Sequence, residues 1–134
     1  MGVLTVYLDK ISHLADEDGI GRSDPYVMFH LEQDNAIFDK GYGKKKSSKK
    51  KGDCNPEYGE TFTFEDVPSL NNMVLQVKVM DDDIGKDDKI GSCEINLESL
   101  NPSEEGNGVE MVIDPKKGWF SKSATIFLKI SYSE

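Results

Sequence analysis

An apolar residue stands at every second position from Met73 to Val79 in Met73-Val-Leu-Gln-Val-Lys-Val-Met-Asp-Asp-Asp83, and three aspartates end the segment. Alternation with a period of two predicts a β-strand that buries one of its faces. Because the aspartates follow the alternation directly, they lie where the strand ends and a loop begins. The segment therefore predicts a sheet that carries carboxylates at one end.

The same alternation recurs along the chain. Further faces with this period are Leu4-Val6-Leu8, Val27-Phe29-Leu31, Phe62-Phe64 and Ala124-Ile126-Leu128-Ile130, and shorter candidates are Ile90 to Leu97 and Val109 to Ile113. The segment from Ala36 to Tyr42, with the lysines after it, predicts an edge strand. Gly, Pro, Asn and Asp clusters separate these segments, and only residues 97–105 favour a helical turn or two. We predict one all-β domain over residues 1–134, an eight-stranded antiparallel β-sandwich.

A second acidic loop, Asp18-Gly-Ile-Gly-Arg-Ser-Asp24, is far in sequence from Asp81-Asp-Asp-Ile-Gly-Lys-Asp-Asp88. Two carboxylates about 4 Å apart repel each other by roughly 4 kcal/mol at an effective dielectric near 20, so a convergence of five or more requires a cation. Oxygen ligands without clustered His or Cys indicate a hard ion, and calcium fits best. The loop is not an EF-hand, because Ser92 stands at position twelve counted from Asp81.

Charge is strongly segregated along the chain. The net charge is −9, yet residues 40–51 contain seven lysines and no acid, so removing these seven charges leaves −16 on the rest. We expect a basic patch on an acidic body. Nucleic acid is an unfavourable partner, because the acidic remainder repels phosphate and the only arginine, Arg22, lies outside the run.

The sequence gives little indication that the protein is an enzyme. The histidines, His13 and His30, and the cysteines, Cys54 and Cys93, form no nucleophile or zinc motif. No run of eighteen apolar residues predicts a membrane span, and the first apolar run, Val3 to Leu8, is too short for a signal peptide. We expect a soluble cytoplasmic protein that is not an enzyme.

Three motifs in order resemble a known family. They are Gly21-Arg-Ser-Asp-Pro-Tyr-Val27, Asn55-Pro-Glu-Tyr-Gly-Glu-Thr-Phe-Thr-Phe64, and Val79-Met-Asp-Asp-Asp83 followed by Asp88-Lys-Ile-Gly91. Together they resemble the C2 domain, the calcium-dependent phospholipid-binding module of protein kinase C, synaptotagmin and phospholipase proteins. The resemblance extends from Val3 to about Tyr132. It implies a C2-like Greek-key sandwich, with the family's usual first strand placed last, the type II order.

The resemblance also implies a site for two or three Ca²⁺ ions. The implied side-chain ligands are Asp18, Asp24, Asp81, Asp83 and Asp88, with the backbone carbonyl of Asp82 completing the coordination. The interval from Asp83 to Asp88 is one residue shorter than we expect of many members, so Asp87 is an alternative to Asp88.

The implied function is calcium-triggered binding to anionic phospholipids, phosphatidylserine and phosphoinositides among them, at the inner face of the plasma membrane or on other membranes. Ile20 and Ile84 at the loop tips are candidates for shallow membrane insertion, or else ordinary exposed isoleucines. The lysine run and Tyr58 resemble a phosphoinositide site; the candidate residues are Lys44, Lys45, Lys46, Lys49, Lys50, Lys51 and Tyr58. The alternative for the run is a solvated loop or an import signal.

The alternative function is a protein-interaction scaffold in which calcium is structural or regulatory. We expect a monomer that is peripheral to the membrane, with protein partners as a further possibility.

Overall fold

The computed structural model describes residues 1–14, 24–82, 86–115 and 124–134. These residues form nine strands and one short helix. The elements are β1 (Gly2–Ser12), β2 (Pro25–Gln33), β3 (Lys40–Lys46), β4 (Glu57–Val67), β5 (Met73–Asp81), β6 (Asp88–Asn96), α1 (Leu97–Leu100), β7 (Asn107–Val112), β8 (Asp114–Pro115) and β9 (Thr125–Ser133). Within the described ranges no helix is long and apolar enough to cross a membrane.

Two antiparallel sheets make up the domain. One sheet has the order β4-β1-β9-β7 and the other has the order β3-β2-β5-β6-β8. The predicted all-β sandwich is therefore confirmed. The last strand, β9, pairs with β1 on one side and β7 on the other, as expected for a chain whose usual first strand comes last.

The core lies between the sheets and is built from the alternating faces that the sequence predicts. Met73, Leu75, Val77 and Val79 are all fully buried on β5. Their partners from β1, β2 and β9, with Ala124 directly before β9, are also buried: Leu4, Val6, Leu8, Val27, Phe29, Leu31, Ala124, Ile126, Leu128 and Ile130. Phe62 is only partly buried and packs on Phe29, with ring centroids 5.2 Å apart. Each fully buried side chain of this size contributes about 1.5–3 kcal/mol to folding.

One predicted strand is divided in the structure. The segment from Val109 to Ile113 supplies β7 to the first sheet, and the chain then crosses to pair β8 with β6 in the second sheet. Ile113 is buried at the crossing, and its N–H donates to the carbonyl of Ala124 at 2.8 Å. This crossing adds a two-residue ninth strand to the eight predicted.

Strand register defines two opposite ends of the second sheet. Pro25 of β2 lies opposite Asp81 of β5 at one end, and Gln33 lies opposite Met73 at the other. At about 3.3 Å per residue, the two ends are roughly 27 Å apart. We call Asp24, Asp81, Asp82, Asp87 and Asp88 the aspartate edge, and we call residues 34–39, between β2 and β3 at the opposite end, the distal loop.

Candidate functional site

Three neighbouring strands bring the described aspartates together. Asp24 precedes the first residue of β2, Asp81 ends β5, and Asp88 begins β6. The register pairs Pro25 with Asp81 and Asp81 with Asp88 across the sheet. Directly opposed residues in an antiparallel pair have Cβ atoms about 4.5–5.5 Å apart. Sheet pairing therefore gathers acids that are up to 64 positions apart in the sequence.

Backbone hydrogen bonds hold Asp24 and Asp81 in place. The N–H of Asp24 donates to Oδ1 of Asp81 at 2.8 Å, and the N–H of Gly52 donates to Oδ1 of Asp24 at 2.9 Å. The N–H of Asp82 donates to the carbonyl of Asp24 at 3.1 Å. The two carboxylates are therefore oriented by the backbone itself. Such orientation lowers the cost of ordering ligands when an ion binds.

A buried tyrosine, Tyr58, bonds to the residue that follows Asp24. Tyr58 is 8% exposed, and its hydroxyl donates to the carbonyl of Pro25 at 2.8 Å. Burial raises the pKa of this phenol well above its usual value, with nearby acids adding to the effect. The Tyr58 hydroxyl, a predicted lipid contact, is therefore engaged inside the fold. The ammonium of Lys50 lies 5.7 Å from the centre of its ring.

Two other aspartates bond to side chains of this chain. The Lys49 ammonium forms an ion pair with Oδ2 of Asp82 at 2.5 Å, and the Tyr26 hydroxyl donates to Oδ2 of Asp87. The hydrogen bond between Lys49 and Asp82 raises the pKa of the lysine and lowers the pKa of the carboxyl. Burial, together with the bond to Asp87, raises the pKa of Tyr26 to about 12. An ammonium therefore partly neutralises the negative charge of the edge.

Five of the seven predicted metal-site residues lie on the aspartate edge. The other two, Asp18 and Asp83, lie outside the described residues, as do the predicted insertion residues Ile20 and Ile84. Of the alternatives for the last ligand, Asp88 lies opposite Asp81 and Asp87 contacts Tyr26. The donors are carboxylate oxygens, and these suit Ca²⁺.

A second acidic group, which the sequence analysis did not single out, lies at the opposite end of the sheet. The carboxylate oxygens of Glu32, Asp34 and Asp39 all lie within 4.8 Å of one another. This oxygen donor set is also compatible with calcium. The spacing of the three acids around the turn between β2 and β3 is the signal that could have found it.

The lysines of residues 40–51 lie in several different environments in the structure. On β3, Lys44 lies opposite His30, and Lys46 lies opposite Met28, which is paired in turn with Lys78 of β5. Lys44 and Lys78 line one small cavity, and Lys78 and Lys89 line another of about 230 Å³. These lysines give the outer face of the second sheet an excess of positive charge, although Glu94 also lines the second cavity. The sequence analysis missed Lys78, although it occupies an outward position in the Met73–Val79 alternation.

Four other lysines of the run have different surroundings. Lys45 lies opposite Phe29 and lines a cleft of about 500 Å³ with Phe62 and Phe64, between the edges of the two sheets. Lys49 and Lys50 contact Asp82 and Tyr58, and Lys51 is exposed in a turn. The run is thus not one continuous patch.

Comparison with known proteins defines the class. The C2 domain family matches residues 2–112, and the chain belongs to this family. Synaptotagmin-3 of Rattus norvegicus is 36% identical over 118 residues, which are 87% of this chain and 19% of that protein. Synaptotagmin-1 of Homo sapiens is 37% identical over 119 residues, which are 87% of this chain and 27% of that protein. The chain thus spans about a fifth to a quarter of these relatives.

Solved structures show the same fold. A C2 domain of plant extended synaptotagmin 1 superposes with a TM-score of 0.77 at 23% identity, covering 98% of this chain and 94% of that one. The calcium-bound pair of C2 domains of extended synaptotagmin 2 gives a TM-score of 0.71 at 21% identity, covering 98% of this chain and 45% of that one. The C2 domain is a non-catalytic module, and it accounts for most of this chain.

Proposed function

We propose that this chain binds anionic phospholipid membranes when two or three calcium ions occupy the aspartate edge. The observation that carries the proposal is the register of β2, β5 and β6, which brings Asp24, Asp81 and Asp88 to one edge. The family relationship to synaptotagmins supports it. The proposed ligands are Asp18, Asp24, Asp81, Asp83 and Asp88, with Asp87 as the alternative to Asp88 and the carbonyl of Asp82 as a further donor.

The electrostatics of the edge explain how the protein would respond to calcium. Without metal, the clustered carboxylates repel an anionic leaflet. Bound calcium would supply positive charge and open coordination positions for lipid phosphate or carboxylate oxygens. The chain's own part is to hold Asp24 and Asp81 through the backbone N–H groups of Gly52 and Asp24. Little movement of the scaffold is required, and Ile20 and Ile84 would add apolar contact at the membrane.

Lys49 connects the metal edge to the lysine run. Its ammonium is paired with Asp82. An ion bound near Asp82 competes with that ammonium for the same carboxylate, since both are cations. Release of Lys49 would return one positive charge to the surface facing the lipid. Calcium binding and lysine-mediated lipid binding would then reinforce each other.

The cationic outer face of the second sheet is the proposed phosphoinositide site. Lys44, Lys46, Lys78 and Lys89 supply its charge. Each lysine near an anionic leaflet contributes about 1 kcal/mol, and the attraction is screened by salt. The protein would therefore reside in the cytoplasm and move to the inner face of the plasma membrane, or to other anionic membranes, when calcium rises.

Cosedimentation with phosphatidylserine vesicles tests the calcium step. We expect binding in calcium and no binding in chelator; equal binding in both would contradict the proposal. For the lysine face, Lys44→Ala with Lys46→Ala should weaken binding to phosphatidylinositol bisphosphate vesicles about tenfold or more. The matched control is Lys10→Ala with Lys129→Ala, which removes the same charge from the other sheet. Equal losses in both double variants would indicate a general charge effect.

A protein-interaction scaffold is the second candidate function. The observation that favours it is the distal loop, where Ile37 is 90% exposed and Phe38 is 72% exposed. Isothermal titration of calcium with and without lipid separates the two functions. A large gain in calcium affinity on adding vesicles is expected for the membrane sensor and not for the scaffold.

A further inference from the structure

Two adjacent serines interrupt the lysine run. Ser47 and Ser48 have Lys44-Lys-Lys46 on one side and Lys49-Lys-Lys51 on the other. Protein kinases select substrates partly by the charge pattern around the acceptor hydroxyl. A serine with three lysines on each side fits a kinase whose peptide-binding cleft is acidic. By sequence context alone, both serines qualify.

The structure separates the two hydroxyls. Ser47 is 8% exposed; its Oγ accepts a hydrogen bond from the N–H of Val27 at 2.9 Å and donates to the carbonyl of Ser48 at 2.8 Å. Ser48 is exposed, and its hydroxyl and N–H both donate to the Glu60 carboxylate, at 2.5 Å and 3.0 Å. Residues 47–50 belong to no helix or strand. The Ser48 hydroxyl is therefore accessible at the surface, whereas the Ser47 hydroxyl is held inside. The N–H groups of Ser47 and Lys50 bond to the carbonyls of Val27 and Pro25, and these bonds must open for the segment to enter a kinase cleft.

We propose that Ser48 is the phosphorylation site of this domain, modified by a protein kinase that recognises lysine-flanked serines. The co-substrate is a nucleoside triphosphate. The Ser48 Oγ forms a bond to the γ-phosphorus, and the bond from that phosphorus to the bridging oxygen breaks. The nucleoside diphosphate leaves with the electron pair, and the hydroxyl proton passes to the kinase's catalytic base.

Phosphorylation reverses the local charge. A phosphoserine carries about −1.5 to −2 charge at neutral pH and three acceptor oxygens. It replaces the hydroxyl donor to Glu60 with an anion, so the contact with that carboxylate becomes repulsive. Lys49, which follows Ser48 directly, and Lys46 and Lys50, each two positions away, are the nearest cations in sequence to receive it. The lysine segment then attracts anionic lipid less strongly.

This effect on lipid binding rests on the proposed function; the identity of the acceptor does not. We expect phosphate on Ser48 to weaken binding to anionic vesicles about thirtyfold, because the dianion offsets roughly two lysines.

To identify the acceptor, the whole chain is phosphorylated with the catalytic fragment of protein kinase C, a serine kinase that prefers basic residues around its target. The modified residue is then located by mass spectrometry. We expect one phosphate per chain, on Ser48, and no incorporation within residues 44–51 of Ser48→Ala. Phosphate on Ser47 instead, or none in this segment of the folded wild-type chain, overturns the assignment. Because Ser48 is exposed, Ser48→Ala is expected to fold, and circular dichroism checks this.

The consequence is tested with phosphoserine incorporated genetically at position 48 and, as a control of equal charge, at the exposed Ser99 of α1. Vesicles of phosphatidylserine with phosphatidylinositol bisphosphate are used in calcium. A loss confined to position 48 supports the proposal; equal losses at both positions, or no loss, overturn it. If the unmodified chain fails to bind these vesicles, the proposed function fails, while the acceptor assignment stands or falls on its site mapping.

Discussion

The aspartate edge and the distal loop both present clustered carboxylates at an end of β2, but they are built differently. At the aspartate edge the acids come from three neighbouring strands, and backbone N–H groups bond to the carboxylates of Asp24 and Asp81. At the distal end, Glu32 lies near the end of β2, and the exposed Asp34 and Asp39 belong to one loop. The first cluster is attached to the core, and the second depends on the conformation of a turn.

Because of this difference we expect calcium to prefer the aspartate edge, even though the distal carboxylates lie close together. The three distal acids come within 4.8 Å of one another. However, Glu32 accepts a hydrogen bond from Gln76 at 2.9 Å, and Asp39 accepts one from the N–H of Asn35 at 3.3 Å. An ion there would have to order exposed loop side chains, which costs conformational entropy. At the aspartate edge this cost is smaller, because folding has already ordered the carboxylates.

The largest expected effect separates the two ends directly. Asp24→Asn with Asp81→Asn should reduce calcium-dependent vesicle binding at least about a hundredfold, because it removes two charges from around a divalent ion. The amide oxygen of each Asn can still accept the backbone hydrogen bonds, so the fold should persist. The matched variant Asp34→Asn with Asp39→Asn should bind within about twofold of wild type. Cosedimentation measures both, and the reverse order would move the site to the distal loop.

Calcium should also stabilise the fold. At a hundredfold excess over the dissociation constant, one bound ion adds about 2.7 kcal/mol to the free energy of unfolding. For a domain of this size the melting temperature should rise by roughly 10 °C. Differential scanning calorimetry should show the rise in wild type and in the distal double variant, but not in Asp24→Asn with Asp81→Asn. A rise that survives in the latter would contradict the comparison.

Substitutions at the two ends should change the stability of the fold by different amounts. Tyr58→Phe removes one of two hydrogen bonds to the carbonyl of Pro25, which still accepts from the N–H of Lys50 at 3.0 Å, and should lower the free energy of unfolding by about 0.5–1.5 kcal/mol. Phe38→Ser at the distal loop should change it by less than about 0.5 kcal/mol, because that side chain is largely exposed. Urea unfolding followed by fluorescence measures both. A larger loss for Phe38→Ser would show that the distal loop is packed in solution.

The pH dependence of stability provides a fourth test. Burial and the bond to Asp87 raise the Tyr26 pKa from 10.0 to about 12. Between these values the folded chain keeps a proton that the unfolded chain loses, so this contribution to stability is complete below pH 10 and declines as the pH rises towards 12. Tyrosinate absorbance should show a late titration to which both Tyr26 and Tyr58 contribute, and Tyr26→Phe should remove the part that titrates near pH 12 while the Tyr58 part remains. A titration unchanged by Tyr26→Phe would assign the shift to another tyrosine.

The smallest expected effect concerns the ion pair between Lys49 and Asp82. Lys49→Gln should raise calcium affinity about two- to fivefold at low salt, since the pair competes with the metal but is exposed. Lys51→Gln, which removes an equal charge from a turn, is the control. Competition with a calcium-sensitive chelator measures both affinities. An unchanged affinity for Lys49→Gln, or an equal rise in both variants, would remove the pair from the calcium site.

Much of the fold was predictable because its signal is local. Alternation identified the buried faces of β1, β2, β5 and β9, and capping residues predicted the turn of helix, where Asn96 accepts from the N–H of Ser99 at 3.1 Å. The division at Ile113 was not predictable, because an apolar residue fits equally well inside one strand or at a crossing between two sheets. The closeness of Glu32, Asp34 and Asp39 was not predictable either, because it depends on the path of the turn between β2 and β3.

The same distinction between local and tertiary information applies to the candidate site. The sequence by itself determined the residue types, namely carboxylates without softer ligands, a lysine run and three motifs in order. Only the tertiary structure decided that Asp24 and Asp81, 57 residues apart, share a hydrogen bond. It also decided that Lys44 and Lys46 share a face with Lys78, and that Ser47 is buried while Ser48 is exposed. The physical reason is that alternation specifies which face of a strand is buried, whereas strand pairing specifies its neighbours.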